Sequence, residues 1–178
     1  MALQYRNLDD VTRQHMTAEI TEDLQGNRLY LSSRLNGAGI AGWAELLAEA
    51  MRTNNDAWLA QEIYRRRLLN AMEQRQHRAT GKVSVAKVPV KAHEVLAEGE
   101  FNRFYMRGIC LRAIAANSRP VAYRARHSEN PRPESERILG QGFEPNALLA
   151  ALRAEPYVDQ ALGMPPGPNS GLSIYLPV

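Results

Sequence analysis

A phosphate cradle, a metal ligand set and an activated nucleophile each need particular residues at particular spacings, and this chain offers a few candidates. Gly37-Ala38-Gly39-Ile40-Ala41-Gly42 matches the G-x-G-x-x-G spacing letter for letter. In a dinucleotide site such glycines allow a tight turn and let backbone N–H groups approach a pyrophosphate at a helix N-terminus. That use requires a buried strand before the glycines and a parallel strand after the helix. Here the preceding stretch, Arg28 to Ser32, is short, and Thr53-Asn54-Asn55-Asp56-Ala57-Trp58 opens another helix. The plainer reading is a Gly-rich turn that starts a helix, since the motif alone is weak. No cofactor is assigned.

Metal and nucleophile chemistry find less. His15, His77, His93 and His127 are not spaced three or four residues apart, and the single cysteine, Cys110, leaves no partner for a Cys/His zinc site. Cys110 lies between Ile109 and Leu111 in an apolar stretch, where a free cysteine behaves as a small core residue. There is no G-x-S-x-G elbow and no Walker loop. The acids Glu94, Glu98, Glu100, Glu134 and Glu136 could share proton-transfer roles, but nearby arginines make surface ion pairs the simpler expectation.

Positive charge is the stronger signal. The net charge of +3 conceals an asymmetry: residues 1–60 hold five Arg against eight acids, and residues 61–137 hold sixteen Lys/Arg against eight Glu. Residues 138–178 hold one Arg against three acids. A basic middle between acidic flanks either meets an anionic partner or is neutralised by those flanks, and the second is favoured. One group runs from Arg65-Arg66-Arg67 through Arg75, Arg78, Lys82, Lys87 and Lys91. A second comprises Arg119, Arg124, Arg126, Arg132 and Arg137, with Tyr123 interleaved as in many nucleic-acid surfaces. Without a recognisable nucleic-acid-binding motif, sequence-independent phosphate contact through Arg119, Tyr123, Arg124, Arg126 and Arg132 is the most these residues support. Arg103 and Arg107 differ, because they stand one turn apart on a helix that is apolar nearly all round. A buried cation needs a partner, so they are expected in ion pairs with Glu98, Glu100 or the acidic N-terminal helix, or else at an interface.

The elements that carry these residues read as follows. Helices are expected over Leu8 to Leu24, with Val11, Met16, Ile20 and Leu24 on one face, over Ile40 to Met51, and from Trp58 through Leu69 and Met72 to an end near His77 to Gly81. Lys82 to Val90 alternates like an exposed or edge strand around Pro89. His93 to Asn117 is expected as a central helix, with Gly108 tolerated at a close helix crossing. Pro120 to Arg126 alternates as a strand, and short helices follow near Pro145 to Ala154 and Tyr157 to Leu162. The expected fold is mainly α with a small β component (α+β). It forms a single compact domain over residues 1–163, with a sub-boundary near 77–91, and an extended tail over 164–178.

That tail joins a Pro/Gly-rich spacer to an apolar strand, Leu172-Ser173-Ile174-Tyr175-Leu176. Leu172, Ile174, Tyr175 and Leu176 are the expected partner contacts, because an apolar strand behind a spacer needs another strand to pair with. Packing of the tail onto its own domain is the alternative. No run reaches the roughly 20 apolar residues needed to cross a bilayer, and the N-terminus lacks the pattern of a signal peptide. A cytoplasmic protein without membrane contact is expected. The leading functional reading is a non-enzymatic interaction or assembly component of a larger complex, such as one of bacterial or phage origin. It would bind a protein partner or itself through the tail and central helix. The alternatives are a sequence-independent nucleic-acid binder and a nucleotide-binding enzyme using Gly37–Gly42, and the balance is against an enzyme.

Overall fold

Everything in the molecule is arranged around one long helix. The structure, a computed structural model, describes residues 3–76, 80–165 and 170–177. Among these the order is α1 (Asp10–Gln25), α2 (Gly37–Thr53), α3 (Asp56–Arg65), β1 (Met72–Gln76), β2 (Val83–Lys87), α4 (Ala92–Ala115), β3 (Val121–Arg124), α5 (Pro133–Arg137), α6 (Pro145–Ala154), α7 (Val158–Ala161) and β4 (Leu172–Tyr175). The fold is mainly α with two small antiparallel sheets in a single compact domain. Helix α4 is the axis: α1, α2, α3, α6, α7 and β4 all pack on it. Phe101, Phe104, Tyr105, Met106, Ile109 and Cys110 are buried around nearly its whole circumference, as a helix apolar on every side must be. No helix among the described residues is long and apolar enough to cross a membrane.

Local chemistry sets the helix starts. Asp9, Asn36 and Asn55 each accept a hydrogen bond from a backbone N–H in the first turn of α1, α2 and α3, at 2.9 Å in all three cases. Gly108 sits where α1 crosses α4. A Cβ there would lie 3.1 Å from both the Thr12 carbonyl oxygen and the Met16 side chain, so a larger residue would require the neighbouring helix to give by a few tenths of an ångström. The expected crossing at Gly108 is present.

Two expectations need correction. Helix α3 does not run on through Leu69 and Met72. It stops at Arg65, Arg67 adopts a positive φ of 54°, and Leu69 bridges to Leu35 instead. The bonds Asn36 N–H to Leu68 carbonyl (2.9 Å) and Asn70 N–H to Arg34 carbonyl (2.8 Å) replace the next helical turn, and Met72 begins a strand. The predicted end near His77 to Gly81 falls partly outside the described residues, and Thr80 and Gly81 are not helical. In α1 the buried face is Thr12, Met16, Glu19, Ile20 and Asp23, while Val11 and Leu24 are exposed. The helix is rotated because Glu19 and Asp23 are drawn inward to arginines of the core.

The two sheets have different surroundings. Strands β3 and β4 pair in the register Val121–Tyr175 to Arg124–Leu172, against α4. Strands β1 and β2 form a hairpin in the register Met72–Lys87 to Gln76–Val83, and it stands away from the core.

Candidate functional site

The structure places the residues singled out in the sequence one group at a time. Arg124 pairs with Glu136 and donates to the Ser135 hydroxyl and the Ser170 carbonyl. Arg126 pairs with Glu98, and Arg132 pairs with Asp159 and donates to the Pro165 carbonyl. Tyr123 is buried, donates its hydroxyl to the Gln4 carbonyl at 2.6 Å, and lies with Tyr175 beneath the Arg6 guanidinium, 4.4 Å from each ring. Arg119 is exposed and makes no ion pair among the described residues, although its charge acts on Glu144. The group is thus largely neutralised by carboxylates of its own chain, which leaves little field for a polyanion.

Arg103 and Arg107 are buried in α4 and take the structural role. Arg107 donates to Glu19 at 2.6 Å and to both carboxylate oxygens of Asp23 at 2.6 and 3.0 Å, while Arg103 donates to Glu100 at 2.7 Å. Arg153, from α6, reaches the same Glu19 at 2.5 Å. Burial by itself would raise the Glu19 pKa, but the hydrogen bonds and charges of Arg153 and Arg107 outweigh it and hold the carboxyl below its usual value. At Glu100 burial wins over Arg103, and the pKa is raised. Three helices meet at this ionic cluster, and removing one partner would leave the others charged and dry.

The tail finds its pairing partner inside the chain. Leu172 and Ile174 are buried, Ser173 donates its hydroxyl to Asn102 at 2.7 Å, and the Asn102 amide donates to the Leu172 carbonyl at 2.8 Å. The Leu176 N–H donates to Asn7, and Tyr175 stacks edge-on with Tyr123. So Leu172, Ile174, Tyr175 and Leu176 are core and core-rim residues rather than a free strand held out to a partner. The spacer residues 166–169 lie outside the described set.

Gly37 to Gly42 form the opening turns of α2, capped by Asn36. A Cβ on Gly39 would overlap the Leu68 carbonyl oxygen, so this glycine accommodates the neighbouring chain where a phosphate would have to sit. Cys110 is buried, and that burial pushes its thiol pKa up to about 12, far from a thiolate nucleophile. Among the described residues no three His, Cys, Asp or Glu side chains gather to hold a metal.

The β1–β2 hairpin and the groove beside it are open to solvent. Alternation and register put Met72, Gln74, Gln76, Val83, Val85 and Lys87 on one face, which points away from the body. Met72, Val83 and Val85 are 46%, 62% and 65% exposed. The opposite face turns Glu73 and Ala86 inward. Between β1, the Tyr30–Arg34 connector, α4 and the Pro156–Val158 turn runs a groove of about 610 Å³. At its rim Arg34 and Arg75 converge on Glu73 at 2.6 and 2.7 Å, and those contacts keep the Glu73 carboxyl ionised well down in pH. Val95, Leu96 and the Tyr30–Tyr157 pair, edge to face at 6.4 Å, supply an apolar wall. Sequence reasoning identified β2 from its alternation. It missed Arg34, Glu73, Tyr30 and Tyr157, which come from three segments with no shared spacing. No family model, curated protein or solved structure matches this chain, so its function must be argued from this geometry.

Proposed function

We propose that the protein is a non-enzymatic interaction component of a larger assembly, docking through the β1–β2 hairpin. The observation that carries this reading is the outward face of Met72, Val83 and Val85, with the neighbouring Val90 also exposed. A lone two-stranded hairpin gains little stability in water, and apolar residues on its solvent face add none. Contiguous exposed apolar surface of this kind marks contact sites. The central helix and tail, which the sequence offered as contacts, serve the protein's own core in this reading.

A photo-crosslinking residue at Val85, compared with one at exposed Glu45 on α2, tests it in an extract of the producing cell. A discrete protein adduct from position 85 only, lost when Val83→Ser is added, is the expected result. Equal labelling at both positions, or none, overturns the reading. The second reading, sequence-independent nucleic-acid binding, draws on Lys82, Lys87 and Lys91, which are exposed and make no ion pair among the described residues. It requires adducts to be nucleic acid and to vanish by about 0.5 M salt, where phosphate contacts are screened.

A further inference from the structure

The hairpin has two outer edges as well as a face, and only the outer edge of β1 borders the groove. Val88 N–H donates to the Ala71 carbonyl at 3.0 Å, continuing the β1–β2 ladder. Backbone groups of a strand alternate between its two edges. Residues 71, 73 and 75 therefore face β2, and residues 68, 70, 72, 74 and 76 face the other way. On that other edge Leu68 and Asn70 bond to Asn36 and Arg34, and then the connector turns off at Ser33. From Met72 to Gln76 the same edge continues with no backbone partner among the described residues. The groove described above begins where the connector leaves, bounded by Ser32 and Arg34 at one end, Glu73 to Gln76 along one side and Val95 and Leu96 along the other.

We propose that this groove receives an extended acidic segment of a partner protein, which adds to the free edge of β1 as a third strand. The inference rests on the interaction reading above and names the contact that reading leaves open. Main-chain bonds to residues 72, 74 and 76 supply register, and alternate side chains enter the apolar wall. Arg34 and Arg75 give the charge preference. Each uses its Nε on Glu73, Arg75 also donates to the Lys87 carbonyl, and the Arg34 side chain, which lines the groove, makes no further hydrogen bond among the described residues, which leaves its guanidinium donors for a carboxylate. Residues 72–91 carry five Lys/Arg against one Glu, which disfavours a second copy of the same hairpin lying edge to edge and favours an acidic strand. A nucleic acid would gain the charge but cannot use the edge N–H and C=O groups in register.

The probe is a fluorescein-labelled heptapeptide, Val-Glu-Val-Glu-Val-Glu-Val, followed by anisotropy with the full chain. The expected result is saturable binding, at least tenfold weaker for the Lys-for-Glu peptide. Gln74→Pro removes one outward N–H while leaving the inward ladder intact, and should weaken binding at least tenfold with an unchanged circular-dichroism melt. Because a proline could still disturb the hairpin, the unaltered protein is also titrated with peptides N-methylated at odd or at even positions. Loss of binding for one set only is expected. Equal binding by both sets, or unchanged binding by a folded Gln74→Pro variant, overturns the edge inference. If a 20-base-pair duplex displaces the peptide at equal affinity, the inference is also overturned, in favour of general polyanion binding. Crosslinks at Val85 with no role for Gln74 would leave the interaction reading standing and remove only the edge.

Discussion

The molecule holds two antiparallel pairs of similar length and opposite situation. In β3–β4 the side chains of Ala122, Leu172, Ser173 and Ile174 are buried, and Asn102 of α4 bonds to both the backbone and a side chain of β4. In β1–β2 nearly every side chain is exposed, and the outer edge of β1 has no backbone partner from Met72 to Gln76 among the described residues. A sheet's stability comes from what lies against its faces and edges rather than from its own ladder. The comparison therefore separates a pair that the fold needs from a pair that the fold only carries.

The sharpest way to break that distinction is to remove the tail. Cutting the chain after Gly163 uncovers α4 and the edge of β3, and the product is expected to lose its cooperative melt. Ile174→Ala, a milder version, should cost about 2–5 kcal/mol in denaturant unfolding. A truncated protein that melts like the parent would make the two sheets equivalent. Next is Arg107→Met, which leaves Glu19 and Asp23 buried without their main counter-charge, at about 3–5 kcal/mol.

The same cluster has a pH signature. Glu19 titrates below its unfolded value, so its contribution is present above the unfolded pKa and is lost as pH falls through the folded one. Stability should therefore fall off below about pH 5, and Arg153→Gln should flatten that fall in a series of melts. Gly108→Ala comes next. Helix propensity gains about 1 kcal/mol, but the new Cβ crowds Thr12 and Met16 at 3.1 Å, and the overpacking cost of about 1–3 kcal/mol is expected to prevail. Smallest of all is Val83→Ser on the hairpin, expected to stay within about 0.5 kcal/mol of the parent while losing the partner crosslinked from position 85. A large destabilisation there would mean that the hairpin is structural after all.

Much of the fold was legible because helix caps and apolar periodicity are local. Asn55 before Asp56, the apolar girdle of α4 and the Gly108 crossing could all be read from neighbours in sequence. The α3 boundary could not. Leu68, Leu69 and Met72 fit a helical stripe and an extended segment equally well, and the choice was made by bonds to Arg34 and Asn36, more than thirty residues away. The face of α1 was misread for a related reason. Its buried Glu19 and Asp23 look like solvent residues until Arg107 is placed opposite them, so apolar pattern alone pointed to Val11 and Leu24. The tail's apolar strand was plain in the sequence, whereas its partner was not, because pairing specificity lies in Asn102, Tyr123 and the β3 edge. The groove was least legible: its lining gathers from the connector, β1, α4 and the turn before α7.

The spacing of the two pairs along the chain also orders events in time. The hairpin closes over a few residues and can form within about 1–10 µs. Strand β4 must find β3 across a long stretch, with Arg124 and Leu172 48 positions apart, and such distant closures are slow. The strands that carry the proposed edge are therefore available early, whereas the other walls of the groove, from α4 and the Pro156–Val158 turn, come later in the chain. During synthesis, β1 and β2 emerge from the ribosome well ahead of β4. A partner present at that moment could engage the nascent chain while α4 still lacks its last cover, so assembly and folding would overlap rather than follow one another.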